Sequence, residues 1–331
     1  MPSAAARRER ALDLLRRFGT SPESICLAYE APWRYHFGRS VEGVVAYLEA
    51  HGTAVVWGDP ICAPESQAVL LAEFTVEMRE AGRKVCLLIV EEDVARAALD
   101  QGYAVIKIGE EPVFDLGAWR MPRGDSGKKL RWCLNKARRE GVEVGAYRAA
   151  EGRRPALEAE IAEVQVAWEA GLGRPPANSF LRTYPLQQVE EKLLVYGRRE
   201  GRLEAVLACA PVPASGGWYL EDMVRRPDAA VGATELLVVT ALDRLGHMGA
   251  ASAALGVAPF RGREQQLDRR ARLVLLVLHP LLSALDRRYH FRTLSQYKAK
   301  FRPTSWRSRY VAVLPALPGP RLARAIREIL G

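Results

Sequence analysis

KVCLLIVEEDVARAALDQGYAVIKI, residues 84–108, decides the fold class. Lys84–Val90 is a short, apolar, β-branched run of the kind buried strands carry. Glu91, Glu92 and Asp93 then place negative charge where a helix begins, and Val94, Ala97 and Ala98 recur at helical spacing. Tyr103–Ile108 returns to strand composition. A helix crossing between two apolar strands is the repeating unit of an α/β fold. The alternation extends in both directions. Upstream, the pattern predicts strands at 25–30 and 53–58 and a helix over 64–82. Downstream, a helix from 126 to 139 leads through Gly141 into a strand at 142–147.

The second half repeats the theme. Leu157, Ile161, Val164, Gln165 and Trp168 share one face of a predicted helix at 155–170. Strands follow at 193–198, 203–212 and 217–224, the first two joined by a Glu200-Gly201 hairpin turn. A helix at 232–247, a strand at 251–257, a long helix at 264–288 and strands at 294–301 and 308–314 complete the reading. Gly152 and Pro155 mark a linker. The expectation is α/β, with two units at 1–150 and 151–331, each a mixed sheet flanked by helices. A chain of 331 residues exceeds one ordinary core, which supports the same division.

The net charge of +9 favours an anionic partner: nucleic acid, a phospholipid surface or a phosphorylated ligand. The five cysteines are scattered without CxxC spacing, and read as reduced residues of a cytosolic protein. The five histidines form neither HExxH nor HxxxH, so no metal site is expected. The N-terminus lacks the apolar stretch of a signal peptide. Leu273–Leu282, the most apolar run, is ten residues and too short to cross a bilayer. A cytoplasmic location follows, at most peripheral on the inner face of the membrane.

Four segments carry candidate chemistry. Tyr297-Lys298-Ala299-Lys300-Phe301-Arg302-Pro303, then Trp306 and Arg309-Tyr310, mixes rings with cations. On an extended strand Lys298 and Lys300 point to one side and can grip a phosphate or an oxyanion; a strand edge protected by lysines explains them equally. Trp218–Arg225 sets Glu221, Asp222 and Arg225 near a strand end, either to hold an ammonium or to pair locally. Pro227–Glu235 turns into a helix whose free N–H groups suit an anion. Acyl-CoA N-acetyltransferases cradle pyrophosphate there with Q/R-x-x-G-x-G/A, but only Gly232 and Ala233 fit, and Ala230 replaces the first glycine. The helix 128–139 groups Lys128, Lys129, Arg131, Trp132, Asn135, Lys136 and Arg139, as a nucleic-acid surface or a solvated face. Both termini are basic and amphipathic, and either lie on an anionic membrane or dock on their own domain.

The order GDPICAPES (58–66), KIGEEPVFDL (107–116), LRWCLNKARREG (130–141), EDMVRRPDAAVGATELL (221–237), ALGVAP (254–259) and YHFRTLSQYKAKFRPTSWRSRY (289–310) resembles the catalytic domain of lysyl-phosphatidylglycerol synthases, the multiple peptide resistance factors. The resemblance covers about Ala54 to Tyr310. It implies two tandem acetyltransferase-like (GNAT) folds and transfer of an aminoacyl group from aminoacyl-tRNA to a hydroxyl of phosphatidylglycerol, without metal or CoA. By the same resemblance Asp222, Arg225 and Lys298 are the expected catalytic residues, and Glu235, Lys300, Arg309 and Tyr310 the expected substrate-binding ones; Glu221 and Tyr297, beside them in the two segments, join the substrate-binding candidates. Lys128, Lys129, Arg131, Lys136 and Arg139 would guide the tRNA. Related enzymes use the same donor with soluble small-molecule acceptors, and an acyl-CoA N-acetyltransferase is the remaining alternative. Family members commonly carry a membrane-embedded domain upstream, which this sequence does not show, and segment 171–190 departs from the family pattern. Both departures bear on the acceptor more than on the donor.

Overall fold

Ala54, Val55 and Val56 in one strand and Val85, Cys86 and Leu87 in its neighbour are all fully buried, as strands covered on both faces must be. These strands, β3 (Thr53–Trp57) and β5 (Lys84–Val90), run parallel and are joined by α2 (Gln67–Glu80). The computed structural model describes residues 3–171, 183–269, 291–315 and 320–330. It is an α/β fold whose strands form one mixed sheet flanked by helices.

Before β3 come α1 (Ala4–Phe18), a 3-10 helix (Pro22–Ala28), β1 (Arg34–Phe37) and β2 (Gly43–Ala50); β4 (Ile61–Cys62) follows it. After β5 come α3 (Glu92–Asp100), β6 (Ala104–Asp115), α4 (Lys128–Arg139), β7 (Glu143–Tyr147) and α5 (Pro155–Gly171). A meander of β8 (Leu193–Arg199), β9 (Arg202–Val212) and β10 (Gly217–Arg225) leads to α6 (Ala233–His247) and β11 (Ser252–Ala254). Short β12 (Ala258–Pro259), α7 (Phe291–Ala299), β13 (Ser305–Leu314) and α8 (Pro320–Leu330) end the described chain.

The strand order is β1-β2-β3-β5-β13-β6-β11-β10-β9-β8-β7. The β10–α6–β11 unit repeats β3–α2–β5, a parallel pair with a helical crossover. Pairing of β10 with β11 stops after Tyr219–Ala254, so Leu220–Arg225 continues beside β9 alone and a gap opens. β13 inserts between β5 and β6, which brings the end of the chain into the first half's sheet. Its register breaks on both sides near Tyr310, and Ile89 in the facing β5 has φ 60°. A β-branched residue in the left-handed region is strained, and strain and bulges concentrate near functional sites.

Several sequence expectations are corrected. The segment 25–30 is not a strand: Pro22 starts a 3-10 helix over Pro22–Ala28, because a short apolar run has no period of its own. The predicted strand 294–301 is α7 and the turn after it. Tyr297 and Phe301 pack edge to face at 5.3 Å, the i,i+4 contact of a helical turn, and this same spacing also reads as period-two alternation. Of the helix expected at 264–288, residues 270–288 lie outside the described residues, and 264–269 are turn and coil. Most of segment 171–190 that departs from the family pattern, residues 172–182, also lies outside them. The strand 251–257 shortens to β11, and β1 and β2 escaped the reading.

Both basic termini are helices whose apolar faces are spent at home. Leu322, Ala325, Ile326 and Ile329 of α8 pack on β2 and β3, and Ala11, Leu14 and Leu15 of α1 pack with Leu27, Val44 and Ile61. Insertion of these faces into a lipid layer is thereby excluded in this conformation; their exposed arginines remain. Among the described residues no helix is long and apolar enough to cross a membrane.

Candidate active site

Arg309 on β13 is completely buried (0 % exposed), and a guanidinium cannot shed its charge to escape that environment. Carboxylates surround it. Glu111 of β6 accepts a hydrogen bond from it, Glu91 at the end of β5 lies 2.8 Å away, and Glu23 of the 3-10 helix 3.7 Å away. Burial would lower the Arg309 pKa, but Glu111, Glu23 and Glu91 outweigh it and hold the group firmly charged. Burial pushes the Glu111 carboxyl up to about 7 and Asp59 up to about 8, with Glu91 adding repulsion at Asp59. Asp59 comes from the GDP element and accepts the Glu91 backbone N–H at 2.9 Å. Glu23 and Glu111 each keep one buried oxygen without a hydrogen-bond partner. Carboxyl groups outnumber cations around Arg309.

Lys298 on α7 reaches the same interior from the other side of the gap. Its Nζ donates to the carbonyls of Gly256 and Val257 at 2.9 and 2.8 Å. It is 7 % exposed, and burial lowers its pKa to about 7 despite Glu111 and Glu23 nearby. Gly256, at φ 67°, permits the approach: a Cβ there would stand 3.0 Å from the Tyr219 hydroxyl and 3.5 Å from Lys298 Nζ. Tyr219 therefore lies beside Lys298, and its hydroxyl is pushed well up by burial, then by Glu23 and Glu111.

Beyond Tyr219 the polar interior continues to β10. A register break between Leu220 and Asp222 leaves Glu221 as the extra residue. Glu221 accepts a hydrogen bond from the Tyr29 hydroxyl and pairs with Lys192 at 2.9 Å. Lys192 is 1 % exposed, donates to the Tyr184 carbonyl at 3.0 Å and stands 5.1 Å over the Tyr29 ring. Asp222 accepts the Tyr184 N–H at 2.6 Å, and burial, then Glu221, raise its carboxyl to about 7. Cys26, Tyr29 and Tyr219 all have pKa values raised chiefly by desolvation, yet each keeps partial exposure. They border a recess inside the protein rather than its outer surface. A separate hollow of about 490 Å³ near His247 is lined by none of these residues.

The site residues anticipated from sequence fall into two groups. Asp222, Glu221, Lys298 and Arg309 line this interior. Arg225 is exposed and, with Met223, faces away from Asp222 toward Tyr297, whose hydroxyl meets Met223 Sδ at 3.5 Å. Glu235 pairs with Lys300 at 2.5 Å at the start of α6. Burial pushes the Glu235 carboxyl up, but Lys300 outweighs it and holds it below the usual range. Lys298 and Lys300 thus serve different places, because residues two apart on a helical turn diverge where a strand would align them. Tyr310 is buried in the hydrophobic cluster with Val90, Val94 and Ala98, on the face opposite Arg309.

The start of α6, expected from sequence as a candidate anion site, is packed against α4. Gly232, at φ 92°, abuts α4 so tightly that a Cβ would stand 2.1 Å from the Cys133 carbonyl oxygen. On α4, Lys128, Lys129 and Arg139 are exposed and Trp132 is 57 % exposed, with Lys136 Nζ 5.8 Å from its ring. Arg131 instead holds the carbonyls of Pro122 and Gly124, and Lys136 pairs with Glu140. Sequence reading missed Glu23, Tyr29, Asp59, Glu111, Lys192 and Tyr219. The charged residues inside apolar runs, Glu23 before ICLAY and Lys192 before LLVY, were the available signal.

A family model described as phosphatidylglycerol lysyltransferase, C-terminal, matches residues 13–313. The chain belongs to this family. The Bacillus subtilis phosphatidylglycerol lysyltransferase is 24% identical over 286 residues, 84% of this chain and 32% of that protein. An uncharacterised Corynebacterium glutamicum protein is 27% identical over 277 residues, 79% of this chain and 33% of its own. The chain spans about a third of the length of these relatives. The same fold occurs in the C-terminal domain assigned to a lysylphosphatidylglycerol synthetase of Agrobacterium fabrum, with TM-score 0.78, 23% identity and coverage of 98% and 96%. It recurs in L-PGS from Bacillus licheniformis, with TM-score 0.75, 21% identity and coverage of 92% and 90%.

Proposed function

We propose that this phosphatidylglycerol lysyltransferase-family domain moves an aminoacyl group from aminoacyl-tRNA to a hydroxyl of phosphatidylglycerol. The observation that carries the reading is Lys298, a buried amine with a pKa near 7 beside a recess rich in carboxylates. An aminoacyl ester is already activated, so transfer needs orientation and proton handling more than a cofactor. The acceptor oxygen attacks the ester carbonyl, forming the new C–O bond. Lys298, neutral in part at pH 7, takes the hydroxyl proton and returns it to the ribose oxygen as the old bond breaks. Tyr219 stands beside it to donate to the developing oxyanion. The carboxyl groups of Glu23, Glu91 and Glu111 gathered around Arg309 give this end of the recess an acidic character that suits the α-ammonium of the incoming group. Asp222 acts as a positioning residue that fixes the Tyr184 backbone on the recess wall. Lys128, Lys129, Arg139 and Trp132 form the exposed basic surface for the tRNA, and the arginines of the terminal helices supply electrostatic attachment to an anionic membrane.

A second reading keeps the donor and replaces the lipid by a soluble hydroxyl or amine acceptor. It is favoured by one observation: the apolar faces of α1 and α8 are occupied by their own sheet. The test is incubation of the purified protein with a mixed pool of labelled aminoacyl-tRNAs, with and without phosphatidylglycerol vesicles. Ribonuclease-sensitive appearance of label in the lipid fraction is expected. Label that never leaves tRNA overturns the reading, and label released only into soluble products moves it to the second.

A further inference from the structure

We propose that Lys192 sets the amino-acid specificity of the recess, so that the aminoacyl group it accepts carries an uncharged side chain. The inference rests on aminoacyl transfer as proposed above. Selecting a lysyl or arginyl group requires a carboxylate with charge to spare, because a desolvated cation without a partner is strongly disfavoured. On the β10 side of the recess the partly exposed carboxylate is Glu221, and its charge is already balanced by an ion pair. Lys192 lies 2.9 Å from Oε2, and the Tyr29 hydroxyl donates to Oε1. Its neighbour Asp222 already accepts the Tyr184 N–H.

Lys192 is itself held as a bound substrate amine would be held. It has a carboxylate (Glu221), a carbonyl (Tyr184) and an aromatic face (Tyr29) around its ammonium, and is 1 % exposed. The chain has built in the cation that a lysyl side chain would bring. A second ammonium beside it meets like-charge repulsion in a poorly solvated interior, which excludes the cationic side chain rather than merely failing to attract it. The other walls, Cys26, Tyr29 and Tyr219, offer thiol and aromatic surface suited to a small or apolar side chain. The α-ammonium common to every aminoacyl ester is a separate matter, since Glu23 and Glu91 bring carboxylates to the Arg309 side.

The experiment is an initial-rate panel with the unmodified protein, phosphatidylglycerol vesicles and tRNAs charged singly with labelled glycine, alanine, leucine, lysine or arginine. The readout is label leaving tRNA. At least one neutral aminoacyl-tRNA is expected to react tenfold or more faster than lysyl- and arginyl-tRNA. A faster lysyl or arginyl rate overturns the specificity while leaving the transfer reading intact. Loss of no label across the panel removes the transfer reading, and the inference with it. Lys192→Met, which frees Glu221, is expected to shift the lysyl-to-alanyl ratio tenfold or more toward lysine; an unchanged ratio in folded protein overturns the role of Lys192. Should that variant not fold, Lys192→Met with Glu221→Gln buries no charge, and its discrimination against lysine is expected to fall toward parity. Retained discrimination there overturns the role equally.

Discussion

Lys300 and Glu235 form a 2.5 Å ion pair in the first turn of α6, the position from which an acetyltransferase would present bare N–H groups to pyrophosphate. Thr234 adds a hydrogen bond to the same carboxylate at 3.0 Å. A fixed negative charge now stands where an anionic ligand would have to enter, and Cys133 of α4 closes the approach at Gly232. The helix terminus is a structural joint between α4, α6 and the turn after α7.

That joint is testable through stability. Lys300→Met leaves the Glu235 carboxylate unpaired and largely buried, a loss of about 3 kcal/mol, measurable by urea unfolding at pH 7. The Glu235 pKa is lowered in the folded protein, so the pair's contribution is present above the ordinary carboxylate value and lost as pH falls through the lower folded value. The difference between wild type and variant should therefore shrink below about pH 4. Added acetyl-CoA should leave the wild-type Tm unchanged, since a ligand that does not bind the native state cannot stabilise it.

Lys298 gives opposite signatures in stability and in activity. Its pKa falls from 10.5 to about 7 in the folded protein, so between those values the unfolded chain holds the extra proton and stability rises with pH. Below pH 7 the folded protein carries a charged buried amine at full cost. Lys298→Met should thus raise Tm at pH 6, with the gain fading toward pH 10. The same substitution should lower the transfer rate by about 10²–10⁴-fold and remove a rate increase centred near pH 7. A variant that keeps near-normal transfer would remove Lys298 from the chemistry.

How much of this was legible in the sequence depends on whether the signal was local. Strands such as Lys84–Val90 and Leu193–Arg199 announced themselves, because a covered strand needs an unbroken apolar run. The Glu200-Gly201 turn did so too, with φ 52° and 78° as a tight hairpin requires. Asp222, Lys298 and Arg309 were found as charges in unusual company, and all three are buried. Their partners were not legible. Glu23 meets Arg309 across 286 positions only because β13 inserts between β5 and β6, and no local pattern encodes that insertion. The YKAKF stretch failed as a strand because Tyr297, Ala299 and Phe301 satisfy period two, while Tyr297 and Phe301 alone satisfy the helical i,i+4 spacing.

Asp59 should behave as a buried acid whose charge is a burden. Burial raises its carboxyl to about 8 from 3.8, so between these values the folded state holds a proton that the unfolded state has lost. Its contribution to stability therefore declines as pH rises from 4 to 8. Asn at this position mimics the neutral acid and keeps an Oδ1 to accept the Glu91 N–H. Asp59→Asn should match wild type at pH 4 and exceed it at pH 9 in urea titrations. A variant less stable than wild type at pH 9 would mean the ionised carboxylate supports Arg309 by more than its burial costs.

Trp132 and the exposed cations of α4 separate two contributions to RNA binding. Lysines that neutralise phosphates release counterions, so each one removed lowers the salt dependence of binding, by about 0.7 in the log–log slope for a single strand. Lys128→Ala with Lys129→Ala should therefore flatten the slope by about 1–1.5 and weaken binding most at low salt. Trp132→Ala should act differently. Its exposed indole offers a stacking face for an unpaired base, worth about 1–3 kcal/mol, and its loss should weaken binding at every salt concentration without altering the slope. Filter binding of aminoacyl-tRNA across a salt series distinguishes the two. If neither substitution changes affinity, α4 is a solvated helix whose charges keep the domain soluble, and the tRNA must approach the recess over another surface.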